Sequence, residues 1–215
     1  MKKITISVIA ACVVLIGGCR WVGIRGNGNI KTDERTISSF ANIDASGQFQ
    51  IEWQNGAPSL RIKTDENLFS YIESQISGDT LHLRTREQIW PTHGIKVAIS
   101  SPARIGARIS GAVKLTAKQL TGPRFALEAT GASRVSLDGS IDGLLADMTG
   151  ASELEASGLQ TKTVEISTTG AADADIAVAE ILKVAITGAG KVNYSGNPKT
   201  IEKHISGAGS IRHRD

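Results

Sequence analysis

Four carboxylates in the second half of the chain are spaced in a way that could support chemistry. They are Glu153, Glu155, Asp173 and Asp175. Within each pair the residues are two apart, so both side chains lie on one side of a strand. The two pairs are one sequence repeat apart, so we expect them on adjacent coils, about 5–7 Å from one another.

This acidic patch admits three interpretations. Clustered carboxylates bind Ca²⁺ through their oxygen atoms, and paired carboxylates carry out glycoside hydrolysis. The third interpretation is a solvated face whose repulsion is relieved by Arg134 and Lys191, which occupy the same position on the flanking repeats. The order basic, acidic, acidic, basic favours this third interpretation.

The segment 87–94 is the second candidate, because it carries Trp90 beside Pro91 and is followed by His93. An aromatic side chain on a long loop is typical of a recognition tip. The same Trp90 could instead fold over an open end of the domain as a cap. Trp53 alternates with Ile51, so we expect it in the core.

No catalytic residue, metal site or cofactor is predicted. The histidines, His82, His93, His204 and His213, have no metal-ligand spacing. A P-loop, a nucleophile elbow and a dinucleotide fingerprint are missing from the sequence. We therefore expect a non-enzyme. Without Lys2 and Lys3 the chain has 22 basic and 21 acidic residues and few aromatics, which argues against a nucleic-acid partner.

The first residues indicate export from the cytoplasm. Lys2 and Lys3 precede the apolar run 4–16, and Leu15 to Cys19 resembles a bacterial lipobox. We expect residues 1–18 to be a lipoprotein signal peptide and Cys19 to carry the lipid, which anchors the protein in the cell envelope. Arg20 follows Cys19, and an arginine at this position favours sorting of the lipoprotein to the outer membrane. The alternatives are an ordinary signal peptide or an uncleaved anchor.

The elements that position these residues follow from a repeat. Gly-Ala occurs six times after Ser or Thr, at intervals of 20, 19, 20, 18 and 19 residues, beginning at Gly111, Gly131, Gly150, Gly170, Gly188 and Gly207. Three residues after each Ala stands an apolar residue, from Leu115 to Ile211, between polar neighbours, which is the period of a strand. The pattern predicts an all-β fold, a single-stranded parallel β-helix or solenoid with coils (rungs) of about 19 residues.

The rest of the chain is less regular. We predict a lipidated N-terminus and tether over residues 19–35 and a solenoid domain over 36–215. Residues 36–102 would form irregular first rungs and 103–215 the Gly-Ala repeats. One short helix is expected over residues 66–77, capped by Asp65. The turn 54–58 indicates either a hairpin or a loop between rungs.

The order of these features resembles a known family. The Gly-rich lead-in before Glu34 and Phe40, the Leu68-Phe69 segment, the Gly78-Asp79-Thr80-Leu81 strand entry and the Ser/Thr-Gly-Ala repeats are similar to the putative auto-transporter adhesin, head GIN domain family, over residues 28–212. The resemblance implies a secreted or lipid-anchored β-solenoid and supplies no catalytic residues.

Three hypotheses on function follow. The first is an envelope lipoprotein whose rigid solenoid surface binds an envelope or extracellular protein or glycan. The second is a polysaccharide-acting lyase or hydrolase, by analogy with other β-helices. The third is a structural protein that assembles end to end, although the charged C-terminal residues Arg212 to Asp215 oppose strand addition.

Overall fold

The computed structural model describes residues 23–214, and these form strands almost throughout. The strands are β1 Ile24–Arg25, β2 Ile30–Arg35, β3 Asn42–Gly47, β4 Gln50–Asn55, β5 Ser59–Asp65, β6 Ile72–Ser77, β7 Thr80–Thr85, β8 Ile89–Trp90, β9 Lys96–Ser101, β10 Gly106–Gly111, β11 Lys114–Gly131, β12 Arg134–Gly150, β13 Glu153–Ala156, β14 Leu159–Gly170, β15 Asp173–Ala177, β16 Ile181–Gly188, β17 Lys191–Ser195, β18 Thr200–Gly207 and β19 Ser210–His213. The one helix within these described residues is the 3₁₀ helix Glu66–Tyr71.

The predicted stacking of the repeats is confirmed. Strands β10 to β19 pair in parallel over about five turns. Leu115 lies opposite Val135, which lies opposite Leu154, so the apolar column is a continuous file through the interior. These three side chains are at most 1% exposed. The fold class is therefore a parallel β-solenoid.

The glycines of the repeat also stack on one another. Gly150 has a φ of 100°, a left-handed conformation that side chains with a Cβ rarely adopt. A Cβ added to Gly150 would lie 2.7 Å from the carbonyl oxygen of Gly131, one rung away. Glycine is therefore required at this corner both by backbone conformation and by the approach of the neighbouring chain.

The uneven repeat length has a local cause. Between Ala117 and Leu120 the register of β11 against β12 shifts, because β11 carries one residue more than its partner. The extra residue is accommodated at Gln119, with φ 54°. Arg104, 7% exposed, donates hydrogen bonds to the carbonyls of Lys118 and Gln119 at 2.6 and 2.5 Å. The bulge accounts for the 20-residue interval between Gly111 and Gly131.

The first half of the chain does not stack in sequence order. Strands β3 and β4 pair in parallel with β10 and β11 on one side and with β7 and β9 on the other. Gly47 lies opposite Gly111 and so belongs to the glycine column. The hairpin interpretation of residues 48–63 is wrong, since β9 lies between β4 and β5.

The predicted helix over residues 66–77 is wrong in its second half. The 3₁₀ helix ends at Tyr71, and residues 72–77 form β6, antiparallel to β7. Asp65 does not cap the helix with its side chain. Its carboxylate instead accepts hydrogen bonds from the Gly28 amide (2.7 Å), the Thr92 amide (2.9 Å) and the Thr92 hydroxyl (2.8 Å). Tertiary contacts therefore outweigh the local helical pattern.

The predicted tether over residues 19–35 is also wrong where the structure describes it. Strand β1 pairs with β8, and β2 pairs antiparallel with the edge of β5. Antiparallel strands thus cover the N-terminal end of the stack. At the other end β18 pairs only with β16 in the described part of the chain, and Ile201 and Ile205 are 39% and 43% exposed.

Within residues 23–214, no helix has the length and hydropathy needed to cross a bilayer.

Candidate functional site

The structure brings the acidic patch together as predicted. Glu153 lies opposite Asp173, and Glu155 lies opposite Asp175, on the neighbouring strands β13 and β15. Three of these side chains are exposed and that of Asp175 is half-buried. The predicted flanking residues, Arg134 and Lys191, occupy the adjoining positions in the same row.

Each carboxylate of the patch has a partner of its own. Arg134 Nε lies 2.6 Å from Glu153 Oε2, and Glu155 accepts a hydrogen bond from the Ser157 hydroxyl. These contacts hold the first pair of carboxylates on β13. The ion pair of Glu153 is exposed at both ends, so it contributes little stability.

On β15 the second pair is held in the same way. Asp175 Oδ1 accepts from Asn193 Nδ2 at 2.7 Å and lies 2.9 Å from Arg214 Nη1, while Asp173 accepts from the Lys191 amide at 3.0 Å. In the part of the chain that the structure describes, no three His, Cys, Asp or Glu side chains form a group that could hold a metal ion. The cation site on this patch stays a prediction, and the geometry agrees with the solvated-face interpretation.

The predicted recognition loop has a different shape from the one expected. Trp90 belongs to β8 and is half-buried, with β1 paired along it. Its carbonyl accepts a hydrogen bond from the Gly26 amide at 2.9 Å. Trp90 therefore belongs to a separate two-stranded parallel sheet formed by β1 and β8. His93 is exposed and, with Lys63 and Lys96, lines a depression of about 330 Å³.

Trp53 is in the core, as predicted. It is fully buried, donates from Nε1 to the Ser101 hydroxyl at 2.9 Å and stacks against Phe40 at a centroid distance of 6.0 Å. Cys19, the predicted lipidation site, and residues 1–18 lie outside the described residues, so lipidation stays a prediction.

Sequence reasoning missed a set of basic residues, which we call the basic groove. Its cationic side chains are Arg61, Lys63, Lys96 and Lys114. They line a depression of about 530 Å³ on the outer face of β5, β9, β4 and β11, together with Thr32, Gln50, Glu52, Gln54 and Thr116. Each basic residue stands next to a buried apolar residue in an alternating strand pattern, so the sequence indicated that its side chain points outward. The sequence did not show that these residues converge, because convergence requires β9 to lie between β5 and β4.

The basic groove continues in both directions. The depression beside His93 shares Lys63 and Lys96 with it. A third depression, of about 510 Å³, shares Glu52 with it and is also lined by Asp138 and Lys118. The three depressions together form one elongated open surface across the rungs.

The geometry defines the class of the protein as a parallel β-solenoid with open, side-chain-lined surfaces. The chain belongs to the family described as "Putative auto-transporter adhesin, head GIN domain", which matches residues 39–198. The family resemblance found in the sequence is therefore confirmed. A comparison with curated proteins finds no match.

Solved structures share the fold. The chain is similar to a putative adhesin from Bacteroides fragilis, with a TM-score of 0.76 and 21% identity over 89% of this chain and 100% of that one. It is also similar to a putative lipid binding protein from Parabacteroides distasonis, with a TM-score of 0.56 and 22% identity over 89% and 99%. A putative adhesin from Parabacteroides merdae has a TM-score of 0.53 and 20% identity over 90% and 99%. At these identities the likeness concerns the fold alone.

Proposed function

We propose that the protein is a lipoprotein of the bacterial envelope, anchored through Cys19, whose rigid solenoid binds an envelope or extracellular partner without catalysis. One observation carries the binding role: the outer rows of side chains are held at the strand spacing by parallel pairing, and they form an elongated open groove. Such a surface recognises a partner by many weak contacts. The description of the family as an adhesin domain supports the same role.

We propose a non-enzyme because the carboxylates of the acidic patch already contact neighbouring side chains and amides. In residues 23–214 the four carboxylates of the acidic patch are committed to Arg134, Ser157, Lys191, Asn193 and Arg214. Hydrolysis of a glycoside needs two carboxylates facing each other across the bond to be cleaved. The four side chains of the acidic patch project from the same face of β13 and β15, so they do not face each other across a cleft.

Attachment of living cells tests the binding role. Cells that produce the native chain should be retained on surfaces coated with envelope or host polysaccharides more strongly than cells that lack it. Cells that produce a Cys19→Ala variant should no longer be retained on the coated surface, and the variant should not incorporate radiolabelled palmitate. The purified variant should still bind the polysaccharide. Equal retention of all three strains would contradict the proposal. Cleavage of the polysaccharide that disappears in a Glu155→Gln and Asp175→Asn variant would favour the enzyme instead.

A second candidate function is self-assembly, favoured by the open C-terminal rung. The outer edge of β18 has no strand partner among the described residues, and Ile201 and Ile205 are partly exposed there. An unpaired strand edge with apolar side chains pairs readily with another copy. Light scattering of the detergent-purified protein should then give a mass above one chain, which an Ile201→Lys and Ile205→Lys variant reduces. A single-chain mass for the native protein would exclude this role.

A further inference from the structure

We propose that the basic groove is a binding site for an acidic polysaccharide. The inference rests on the proposed binding function and names the chemistry of its ligand. The groove contains a like-charge pair. Lys63 on β5 lies directly opposite Lys96 on the antiparallel strand β9. Like charges in this position destabilise a sheet, and an anion bound between the two ammonium groups would remove the repulsion.

Among the described residues the cations of the groove form no ion pair, although Glu34 lies opposite Arg61 on the neighbouring strand β2. Elsewhere on the solenoid, several basic side chains form ion pairs, such as Arg108 with Glu128 at 2.7 Å and Lys162 with Asp142 at 2.7 Å. Within residues 23–214, no carboxylate oxygen lies within 4.0 Å of a cationic nitrogen of the basic groove. Glu52 is the one carboxylate among the lining residues, against Arg61 and three lysines. The site thus has a net positive charge.

The groove is longer than a single small anion. Along one row of the sheet, Lys63 is followed by Lys96, Gln50 and Lys114 on successive strands. At a strand spacing of about 4.8 Å the outer two lysines are about 14 Å apart. A single phosphate cannot reach both, so the arrangement fits a chain with repeated negative groups. Gln50, Gln54, Thr32 and Thr116 add amide and hydroxyl groups that can hydrogen-bond to sugar hydroxyls.

The same lining disfavours other polyanions. Single-stranded nucleic acid is bound through exposed aromatic platforms. Among the described residues no Phe, Tyr or Trp lines this depression or the one beside His93, and Trp53, which borders the third depression, is fully buried. A lipid bilayer presents a plane of headgroups, whereas the depressions here are concave, with volumes of about 530 and 330 Å³. An acidic polysaccharide agrees with the charge, the length and the amide and hydroxyl groups of the groove together.

Binding of a heparin-derived hexasaccharide to the full-length protein in detergent tests the inference. A Lys63→Gln, Lys96→Gln and Lys114→Gln variant should bind at least tenfold more weakly and with a smaller dependence on salt. A matched variant, Lys162→Gln, Lys183→Gln and Lys199→Gln, removes the same charge from exposed positions outside the groove and should change affinity less than twofold. Maltohexaose, which is neutral, should not compete.

Several results would overturn the inference. They are no binding of the hexasaccharide, equal losses in the two triple variants, equal binding of a single-stranded oligonucleotide, or preferential binding of phosphatidylglycerol vesicles through the same lysines.

Cell attachment separates this inference from the proposed function. If the groove variant is retained like the native strain, the adhesive role stands and the groove is not its site. If the native strain itself is not retained, the proposed function fails.

Discussion

At the scale of single residues, glycine fixes the corners of the solenoid. The column from Gly47 to Gly207 runs through seven rungs in register. Each member has a positive φ, and in each rung beyond the first a Cβ would approach the carbonyl of the glycine before it within 2.5–2.8 Å. The Gly-Ala dipeptide therefore recurs because the backbones of neighbouring rungs are in contact at this corner, and not because it carries surface chemistry.

Replacement of one of these glycines tests that account. Gly150→Ala should lower the free energy of unfolding by about 2–4 kcal/mol, because it adds a left-handed strain and a clash with Gly131. Gly143→Ala is the matched control: the nearest atom to its added Cβ is 3.7 Å away and its φ is not left-handed. It should change stability by less than about 1 kcal/mol. Similar urea midpoints for the two variants would contradict the argument.

At the scale of elements, one buried carboxylate reinforces the strand pairing that attaches the N-terminal strands to the solenoid. Asp65 is fully buried and joins the Gly28 turn to the Thr92 loop. Burial by itself would raise the pKa of Asp65, but the donors Thr92 N–H, Thr92 hydroxyl and Gly28 N–H outweigh it, and the pKa lies below its usual value. The carboxylate is thus ionised in the folded protein at neutral pH.

This arrangement gives stability a defined pH dependence. Because the pKa of Asp65 is lower in the folded than in the unfolded chain, its contribution is present above the unfolded value of about 3.9 and is lost as the pH falls through the folded value. Asp65→Asn should cost about 1–3 kcal/mol at pH 7, and the difference from the native protein should shrink below about pH 4. Urea unfolding at pH 7 and pH 3 measures both.

A control separates this effect from any change in surface charge. Asp142→Asn breaks an exposed ion pair with Lys162 and should change the unfolding free energy by less than about 1 kcal/mol at either pH. If the Asp65→Asn deficit stayed constant between pH 7 and pH 3, the lowered pKa would not be its cause.

At the scale of the whole molecule, the two ends of the solenoid differ within residues 23–214: antiparallel strands cover the first rungs, whereas β18 leaves apolar side chains exposed. Leu182 and Ile201 occupy the same column on adjacent strands, but Leu182 is fully buried and Ile201 is 39% exposed. The column that forms the interior thus reaches solvent at the last rung. The sequence thus keeps an apolar residue in this column at the last rung, although the side chain is no longer buried there.

A pair of substitutions in this column measures the difference. Leu182→Ala should cost about 2–5 kcal/mol, because it leaves a cavity in a packed interior. Ile201→Ala should cost less than about 1 kcal/mol, because its site is partly solvated. Thermal unfolding compares the two directly. Equal losses would mean that the last rung is covered in solution, as self-assembly requires.

The sequence by itself determined the regular half of this protein. Its period, the polar and apolar columns and the position of Leu115 above Val135 were readable because each rung contacts only its neighbours, so spacing along the chain equals position in the stack. The pairing of Glu153 with Asp173 followed from the same rule. The Gly47 rung also carries this signal, since Ile51 follows Gly47 at the distance that separates Leu115 from Gly111.

Only the tertiary structure decided the first half and the basic groove. Strand β9 enters between β5 and β4, and β6 forms where local spacing favours a helix, because pairing with distant strands outweighs local propensity. The face that carries Lys63, Lys96 and Lys114 is assembled from segments that are far apart in sequence and run in opposite directions. No sequence period connects such segments. The sequence therefore indicated that each of these lysines lies on the surface, but only the fold brings them together in one site.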